Sequence, residues 1–449
     1  MAKTIEVKGS KKLLNAWAFY DWANSVYSLV ISSAIFPIFY GALFRVAEIE
    51  KVTVFGTEIA RAPLISYTTS AAFVFIAIVT PLVSGIADYL GNKKIFLKFF
   101  CYLGAASCIG LYWFSLEHIY FGLLCYFFGL VGFWVSFAIN NSYLPDIAFP
   151  EQQDGISAKG FSLGYIGSVL LLLFNLSMVM FPNFYGLTDG EGYSAEMKAM
   201  KISFLSVGIW WAIFSQYTFK NLPKGYKREG EKRNVVLNGF RELQSVWRQL
   251  GNETRLKRYL TAFFVYSMAV QTIMLIATYF GEEEIAWGSD DNRTIGLILS
   301  ILIIQIIAIG GAYVTAFFSK KIGNVKTLIG VNIIWVLLCV YAYFLQTPMD
   351  FYLAAGLVGI VMGGIQALSR STYSKFLPDT TDTTSFFSFY DVSEKIGIVI
   401  GTLMYGVIAQ WTGSMRNSTI FLGLFFLIGA LLLTRVKKLE MQKSSGNSN

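Results

Sequence analysis

LLNAWAFYDWANSVYSLVISSAIFPIFYGA, residues 13–42, runs for thirty residues with a single charge, Asp21. A helix needs about 20 apolar residues to cross the hydrocarbon core of a bilayer. The run follows a short polar stretch, Met1 to Lys12, and carries no small-residue cleavage pattern. It is too long for a signal peptide and reads as a retained first transmembrane helix. Eleven more apolar runs follow, near 67–89, 93–115, 119–144, 157–181, 199–219, 258–281, 294–319, 326–346, 351–377, 384–411 and 416–435. With 15–42 as helix 1, these are helices 1 to 12 in chain order. The longest break, 220–257, separates helices 6 and 7. It predicts an N-terminal bundle over 1–219, a basic linker over 220–257, and a C-terminal bundle with a short tail over 258–449.

The composition points the same way. Hydrophobic residues make up 55% of the chain and charged residues only 14%, where a soluble chain carries about a quarter. The missing charge is replaced by apolar and aromatic side chains that lipid can solvate. His118 is the only histidine, so a HExxH site or any mechanism needing two imidazoles is excluded. Cys101, Cys108, Cys125 and Cys339 lie inside apolar runs without a CxxC pair and read as core or lipid-facing residues. No P-loop or paired-carboxylate pattern is present, so neither an enzyme nor a cofactor or metal is expected.

Orientation follows from Lys and Arg. With a cytoplasmic N-terminus, 27 of the 36 basic residues fall in cytoplasmic segments. Seven fall outside (Arg45, Lys51, Arg61, Lys198, Lys201, Arg293 and Arg416), and Arg370 and Lys395 lie within helices. Both termini are therefore expected in the cytoplasm of a multi-pass inner-membrane protein, with Glu282 to Glu284 and Asp290-Asp291 outside. The linker carries eleven Lys or Arg between Lys220 and Arg258, and Val236, Phe240, Leu243, Val246, Trp247 and Leu250 recur in it at helical spacing. It reads as an interfacial helix on the anionic cytoplasmic leaflet, or as a basic linker obeying the positive-inside rule. Gly91-Asn92 recurs as Gly323-Asn324, Leu144-Pro145-Asp146 as Leu377-Pro378-Asp379, and Ile166-Gly167 as Ile396-Gly397. The offset stays near 230 residues, which predicts an all-α membrane protein of two pseudo-symmetric six-helix bundles.

The helix 2–3 turn reads Ser84-Gly85-Ile86-Ala87-Asp88-Tyr89-Leu90-Gly91-Asn92-Lys93-Lys94. It is similar to the loop signature of the major facilitator superfamily, with Asp88, Gly91, Lys93 and Lys94 in place, Ser84 for a usual glycine and Tyr89 for a usual basic residue. Asp88 can face the positive N-terminus of helix 11 near Thr384 and Ser385 and hold one side shut. The strings Trp17 to Tyr27, Asn140 to Ala148, Ile156 to Gly167, Gly363 to Ser371 and Phe386 to Tyr390 with Glu394-Lys395 resemble one branch of that superfamily. This branch contains the vacuolar amino-acid effluxer of autophagy and its bacterial relatives. The resemblance implies a twelve-helix permease with two rocking halves. One departure is visible in helix 7, where Tyr266 and Val270-Gln271-Thr272 match but Ser267-Met268 replace the Asn-Asp pair of the branch.

Ionisable groups inside hydrocarbon are costly and face a partner or a water-filled cavity. Asp21 in helix 1 and Arg370 near the cytoplasmic end of helix 10 fall at similar depth, which leaves room for an ion pair between the halves. Asp21, Arg370, Asp88, Lys93 and Lys94 form the coupling and gating candidates. The substrate-cavity candidates are Tyr20, Asn24, Ser25, Asn140, Asn141, Tyr165, Gln271, Gln366, Asp391, Glu394 and Lys395. On helix 11, Glu394 and Asp391 share a face and Lys395 can neutralise Asp391. Asn175, Gln305 and Asn332 read as interhelical hydrogen-bonding residues.

The expected function is secondary transport of a small polar or amphipathic metabolite by alternating access, coupled to an ion, with amino acids implied by the resemblance. A lipid or cell-wall-fragment carrier and a non-transporting receptor or scaffold on the same fold stay open. The expected partners are a small-molecule substrate and membrane lipids at the linker, without nucleic acid, in a monomer.

Overall fold

The computed structural model describes residues 7–49, 51–54, 56–190, 193–225, 235–288 and 290–436. Both chain ends, Lys227, Arg228, Lys232 and Arg233 of the linker, and the side chains of Val236, Asp290 and Asp291 lie outside the described residues.

Among the described residues, twelve helices are long and apolar enough to cross a membrane. Helices 1 to 6 span Lys11–Val46, Pro63–Leu90, Lys93–Trp113, Ile119–Ile147, Pro150–Met180 and Ala195–Asn221. Helices 7 to 12 span Thr254–Glu284, Ile295–Ile322, Asn324–Tyr343, Pro348–Phe376, Thr383–Thr412 and Met415–Thr434. Their boundaries follow local chemistry. Pro63, Pro150 and Pro348 sit at or near helix starts, where a missing N–H costs nothing. Helix 2 stops at Gly91, whose φ of 60° is the left-handed cap that glycine tolerates. Thr347 and Asp350 cap the start of helix 10 reciprocally.

Helix 1 departs from the simple reading. Residues Tyr27–Ile35 form a π-helical stretch within it. Pro37 has no N–H to give the Ser33 carbonyl, and the widened turns lie just ahead of it. Ser33 Oγ donates instead to the Ser28 carbonyl at 3.0 Å.

Buried apolar side chains gather into two main clusters. One runs from Leu13 to Leu222; the other runs from Val246 to Val436 and takes in Tyr165 of helix 5. The second therefore begins inside the linker. A helix over Val235–Asn252, the linker helix, buries Val246 and Leu250 against the C-terminal bundle. Trp247 packs on Phe389 with ring centroids 5.3 Å apart, and Asn238 Nδ2 donates to the Tyr89 hydroxyl at 2.8 Å. Gly85 and Gly239 let helix 2 and the linker helix meet backbone to backbone, since a Cβ on Gly85 would strike the Gly239 carbonyl. The linker helix is thus docked on protein along one side, whereas Leu237, Phe240 and Trp247 stay more than half exposed.

Several connections meet on one face of the molecule, the linker face. Gly9 N donates to the Ile147 carbonyl at 2.7 Å, Lys8 Nζ to that of Pro145 at 2.7 Å, and Lys94 Nζ to that of Leu222 at 2.7 Å. The opposite, distal face carries a β-hairpin of Lys51–Val54 and Thr57–Ala60. It also carries the Arg416–Glu284 ion pair at 2.7 Å.

Candidate functional site

Between the two clusters lies a cavity of about 330 Å³ walled by helices 1, 2, 4, 5, 7, 8, 10 and 11. Aromatic side chains, Phe73, Tyr126, Trp134, Phe161, Phe263 and Tyr390 among them, contribute to its wall. Serine, threonine and amide side chains are interspersed with them, and Arg370 and Glu394 are its charged groups. Toward the distal face, Ser33 and Met274 on the wall are exposed, whereas Ser369, Arg370 and Asn141 at the floor are buried. The cavity therefore communicates with the distal side and is closed below Arg370.

The floor is an ion pair between the halves. Arg370 Nη1 donates to Asp21 Oδ2 at 3.0 Å, and both residues are about 1% exposed. The same nitrogen reaches Asn141 Oδ1 at 3.0 Å, while Nε and Nη2 donate to the Ser157 hydroxyl and carbonyl, each at 2.9 Å. Trp17 and Phe161 cover the guanidinium faces, 4.7 and 4.2 Å from its carbon. Planar stacking with a forked donor set is the environment an arginine suits and a lysine does not. Gly160 makes the room, because a Cβ there would strike the Asp21 carboxylate and Arg370 Nη2. Asp21 Oδ1 has no hydrogen-bond partner among the described residues.

Beneath this floor the linker face is sealed by two further networks. Asp88 at the end of helix 2 accepts from the backbone N–H groups of Thr384 (3.3 Å) and Ser385 (2.6 Å), the first turn of helix 11. Two orphan donors and the positive end of that helix meet one carboxylate. Lys93 pairs with Asp146 at 2.5 Å and donates to the Ser142 carbonyl and to Thr383 Oγ1, each at 3.0 Å. Lys94 ties helix 3 to the start of the linker. The second network centres on Asp154 in helix 5. It accepts from Ser319 Oγ (2.8 Å), Asn324 Nδ2 (2.8 Å) and Lys375 Nζ (2.6 Å), all from the other bundle.

On helix 11, Lys395 sits between Asp391 (3.1 Å) and Glu394 (3.0 Å), with its ammonium 3.4 Å from the centroid of the Trp134 ring. Gln271 of helix 7 donates to Glu394 Oε1 at 2.7 Å. Tyr165 and Gln366 bridge the bundles across the cavity at 2.8 Å.

Of the substrate-cavity candidates, Ser25, Asn141, Tyr165, Gln271, Gln366 and Glu394 line the cavity, and Arg370 does too. Tyr20, Asn24, Asn140, Asp391 and Lys395 do not. Tyr20 is fully buried beside Phe219 inside the N-terminal bundle. Asn24 and Asn140 are fully buried, and Asn140 offers its backbone carbonyl to Trp17. Asp391 and Lys395 stand behind Glu394, off the wall. Each lies on a helix that lines the cavity but points to another side of it, a distinction that helical membership alone does not make.

Ser28, Ser32 and Gln305 also line the cavity. Ser25, Ser28 and Ser32 are spaced by three and four, a same-face signal readable in the sequence. Asn175 does bond across helices, accepting from Ser206 at 2.9 Å, whereas Asn332 donates to the Leu328 carbonyl of its own helix. Asp154 and Lys375 could not be found by motif, since their partners are scattered over four helices.

The model of the vacuole effluxer Atg22-like family matches residues 9–445. The chain belongs to this family. It is 31% identical to an uncharacterized MFS-type transporter, YxiO, of Bacillus subtilis over 96% of both chains. It is 23% identical to autophagy-related protein 22-1 of Phaeosphaeria nodorum over 94% of this chain and 89% of that one. Among solved structures, the transporter FucP in its outward conformation superposes with a TM-score of 0.70 at 17% identity, covering 95% of this chain and 98% of that one. The proton:xylose symporter XylE superposes at 0.67 and 12%, covering 95% of each chain. The Atg22-like chain described here is thus a multi-pass membrane transporter with the major facilitator fold, and not an enzyme.

Proposed function

We propose that the protein carries a small polar or amphipathic metabolite through the central cavity by alternating access, with proton movement as the driving force. The bundles over 1–219 and 258–449 would rock as bodies, joined by the linker over 220–257. The observation that carries the reading is a cavity of about 330 Å³ whose floor is the ion pair Asp21–Arg370, one residue from each half. Ligand pockets start at about 300 Å³ and combine apolar walls with a few placed polar groups, which is this composition. Amino acids are the first class to test, because apolar and aromatic wall residues beside Glu394 suit a molecule bearing an apolar side group and a cationic end.

The distribution of basic residues supports a cytoplasmic linker face, with both termini inside and the protein in the inner membrane. The structure would then be the outward-open state. Rocking would part Asp21 from Arg370 and leave a buried carboxylate without its cation, which favours proton capture. A thermal-shift screen of purified protein against metabolites and lipids identifies the cargo class. Uptake into proteoliposomes then separates coupling from binding. Asp21→Asn is expected to abolish gradient-driven accumulation while preserving exchange of substrate down its own gradient. Full gradient-driven uptake by this variant would remove Asp21 from the coupling step, and stabilisation by lipids alone would overturn the metabolite reading.

A further inference from the structure

Helix 11 holds two carboxylates against one cation. Lys395, 1% exposed, is shared between Asp391 Oδ1 at 3.1 Å and Glu394 Oε2 at 3.0 Å. The two acids are not equivalent. Glu394 has both oxygens bonded, one to Lys395 and one to Gln271 Nε2 at 2.7 Å, so it is furnished as an anion. Asp391 has one oxygen on Lys395, while Oδ2 is buried and has no hydrogen-bond partner among the described residues. An unpartnered buried anion is costly, and a carboxylate so placed neutralises by binding a proton.

Among the described residues, no second cation pairs with either acid. Tyr266 from helix 7 and Tyr390 from helix 11 are the titratable neighbours of Glu394, and helix 4 contributes the Trp134 ring over Lys395. Arg370 is committed to Asp21, Asn141 and Ser157. From helix 2, Asp88 meets helix 11 nearer the linker face, at Thr384 and Ser385. The linker helix meets it through Trp247 on Phe389, and helix 12 through Ser418 on the Tyr405 carbonyl.

We propose that Asp391, Lys395 and Glu394 form a one-proton site, separate from the Asp21–Arg370 floor, with the proton held on Asp391 Oδ2. Lys395 is the element that links it to the cavity. Glu394 lines the cavity wall and Asp391 lies behind it. A ligand that brings a cationic group to Glu394 replaces Lys395 there. The ammonium then moves fully onto Asp391 and the Asp391 proton passes to water of the cavity, so that one positive charge arrives as one departs. This release rests on the cavity being the substrate site; the resident proton does not, and it is read without any substrate.

The experiment is infrared spectroscopy of purified protein in lipid nanodiscs at neutral pH, in light and heavy water. The wild type is expected to show the C=O stretch of an interior carboxylic acid, shifted by deuteration. Asp391→Asn removes that band and Asp21→Asn retains it; Glu394→Gln also loses it, because Lys395 is then left to Asp391 alone and the proton leaves as in the release step. Loss of the band in Glu394→Gln only, or loss of carboxylate bands in place of an acid band in Asp391→Asn, overturns the proposal. So does an acid band that disappears when choline is exchanged for sodium at constant pH, since the site would then prefer a metal cation. Thermal unfolding gives an independent reading. Asn mimics a neutral Asp391, so Asp391→Asn keeps or raises the unfolding midpoint, while Glu394→Gln lowers it. An Asp391→Asn protein that fails to fold while Glu394→Gln folds means that Asp391 is ionised, and the proposal falls. Should neither fold, the wild-type spectrum decides: an interior acid band supports the site, and its absence overturns it.

Discussion

The two seals of the linker face occupy related places in the two halves and are built differently. At the end of helix 2, Asp88 meets the bare backbone N–H groups that begin helix 11. At the end of helix 8, the related turn carries no acid; Ser319 and Asn324 act as donors, and the carboxylate is Asp154 on helix 5, with Lys375 completing the set. Both carboxylates, and Asp21 at the floor, belong to the N-terminal half. The donors that meet them, Thr384, Ser385, Ser319, Asn324, Lys375 and Arg370, all belong to the C-terminal half. Gene-level duplication would make the seals alike, but contact between the halves rewards complementarity. At these three carboxylates the N-terminal half accepts and the C-terminal half donates.

The comparison can be broken most forcefully at the floor. Removing one partner of a buried ion pair costs about 3–5 kcal/mol because the other charge is left uncompensated. Arg370→Ala is expected to show a loss of this size in thermal unfolding and to lose gradient-driven transport. The double variant Asp21→Asn with Arg370→Ala should recover much of the stability, since no charge is then stranded. If the double variant is as unstable as the single one, the arginine acts by packing against Trp17 and Phe161, and charge is not its main contribution.

A middle-sized effect separates the two seals. In Asp154→Asn the ion pair with Lys375 is lost, whereas Asp88→Asn keeps an oxygen able to accept one of its two backbone bonds. Leaving buried partners unsatisfied costs about 1–3 kcal/mol, so both variants should open the linker face, Asp154→Asn more than Asp88→Asn. Spin-label distances across the linker-face ends of helices 2 and 11 and of helices 5 and 8 report this directly. Asp88→Asn should also slow transport while leaving ligand binding within a few fold. The reverse order of opening, or a large loss of binding with normal switching in Asp88→Asn, would dissolve the distinction drawn here.

The smallest effect is expected at Lys94. It belongs to the same turn signature as Asp88 and Lys93, and its ammonium donates to the Leu222 carbonyl at 2.7 Å, a bond that does not cross between the halves. Lys94→Ala should therefore change unfolding by no more than about 1 kcal/mol, the net worth of a typical hydrogen bond. It should leave the spin-label distances unaltered. A response as large as that of Asp154→Asn would place Lys94 in the seal after all.

Much of this architecture is legible in the chain itself. Twelve apolar runs of bilayer length leave little choice of fold, because an unpaired backbone cannot lie in hydrocarbon. Asp21 and Arg370 stand out for the same reason, and so does Asp88, whose motif is contiguous and whose partner is the nearest helix start across the halves. The Asp154 seal was hidden because its four members are each unremarkable where they stand, at residues 154, 319, 324 and 375. The linker helix was visible as an amphipathic pattern, but not the side on which it docks, which depends on the Gly85–Gly239 approach.

What the sequence determined by itself is therefore everything that depends on transfer from water to lipid: the number of spans, their order, and the buried charges that require a reason. What only the tertiary structure decided is direction. Tyr20, Asn24 and Asn140 lie on cavity-lining helices and face away from the cavity, while Ser28, Ser32 and Gln305 face into it. Membrane helices are apolar around most of their circumference, so hydrophobic periodicity does not mark which face turns to lipid, to a neighbour or to the cavity. Only the packing of all twelve helices fixes that rotation, and with it which polar groups meet and which stand alone.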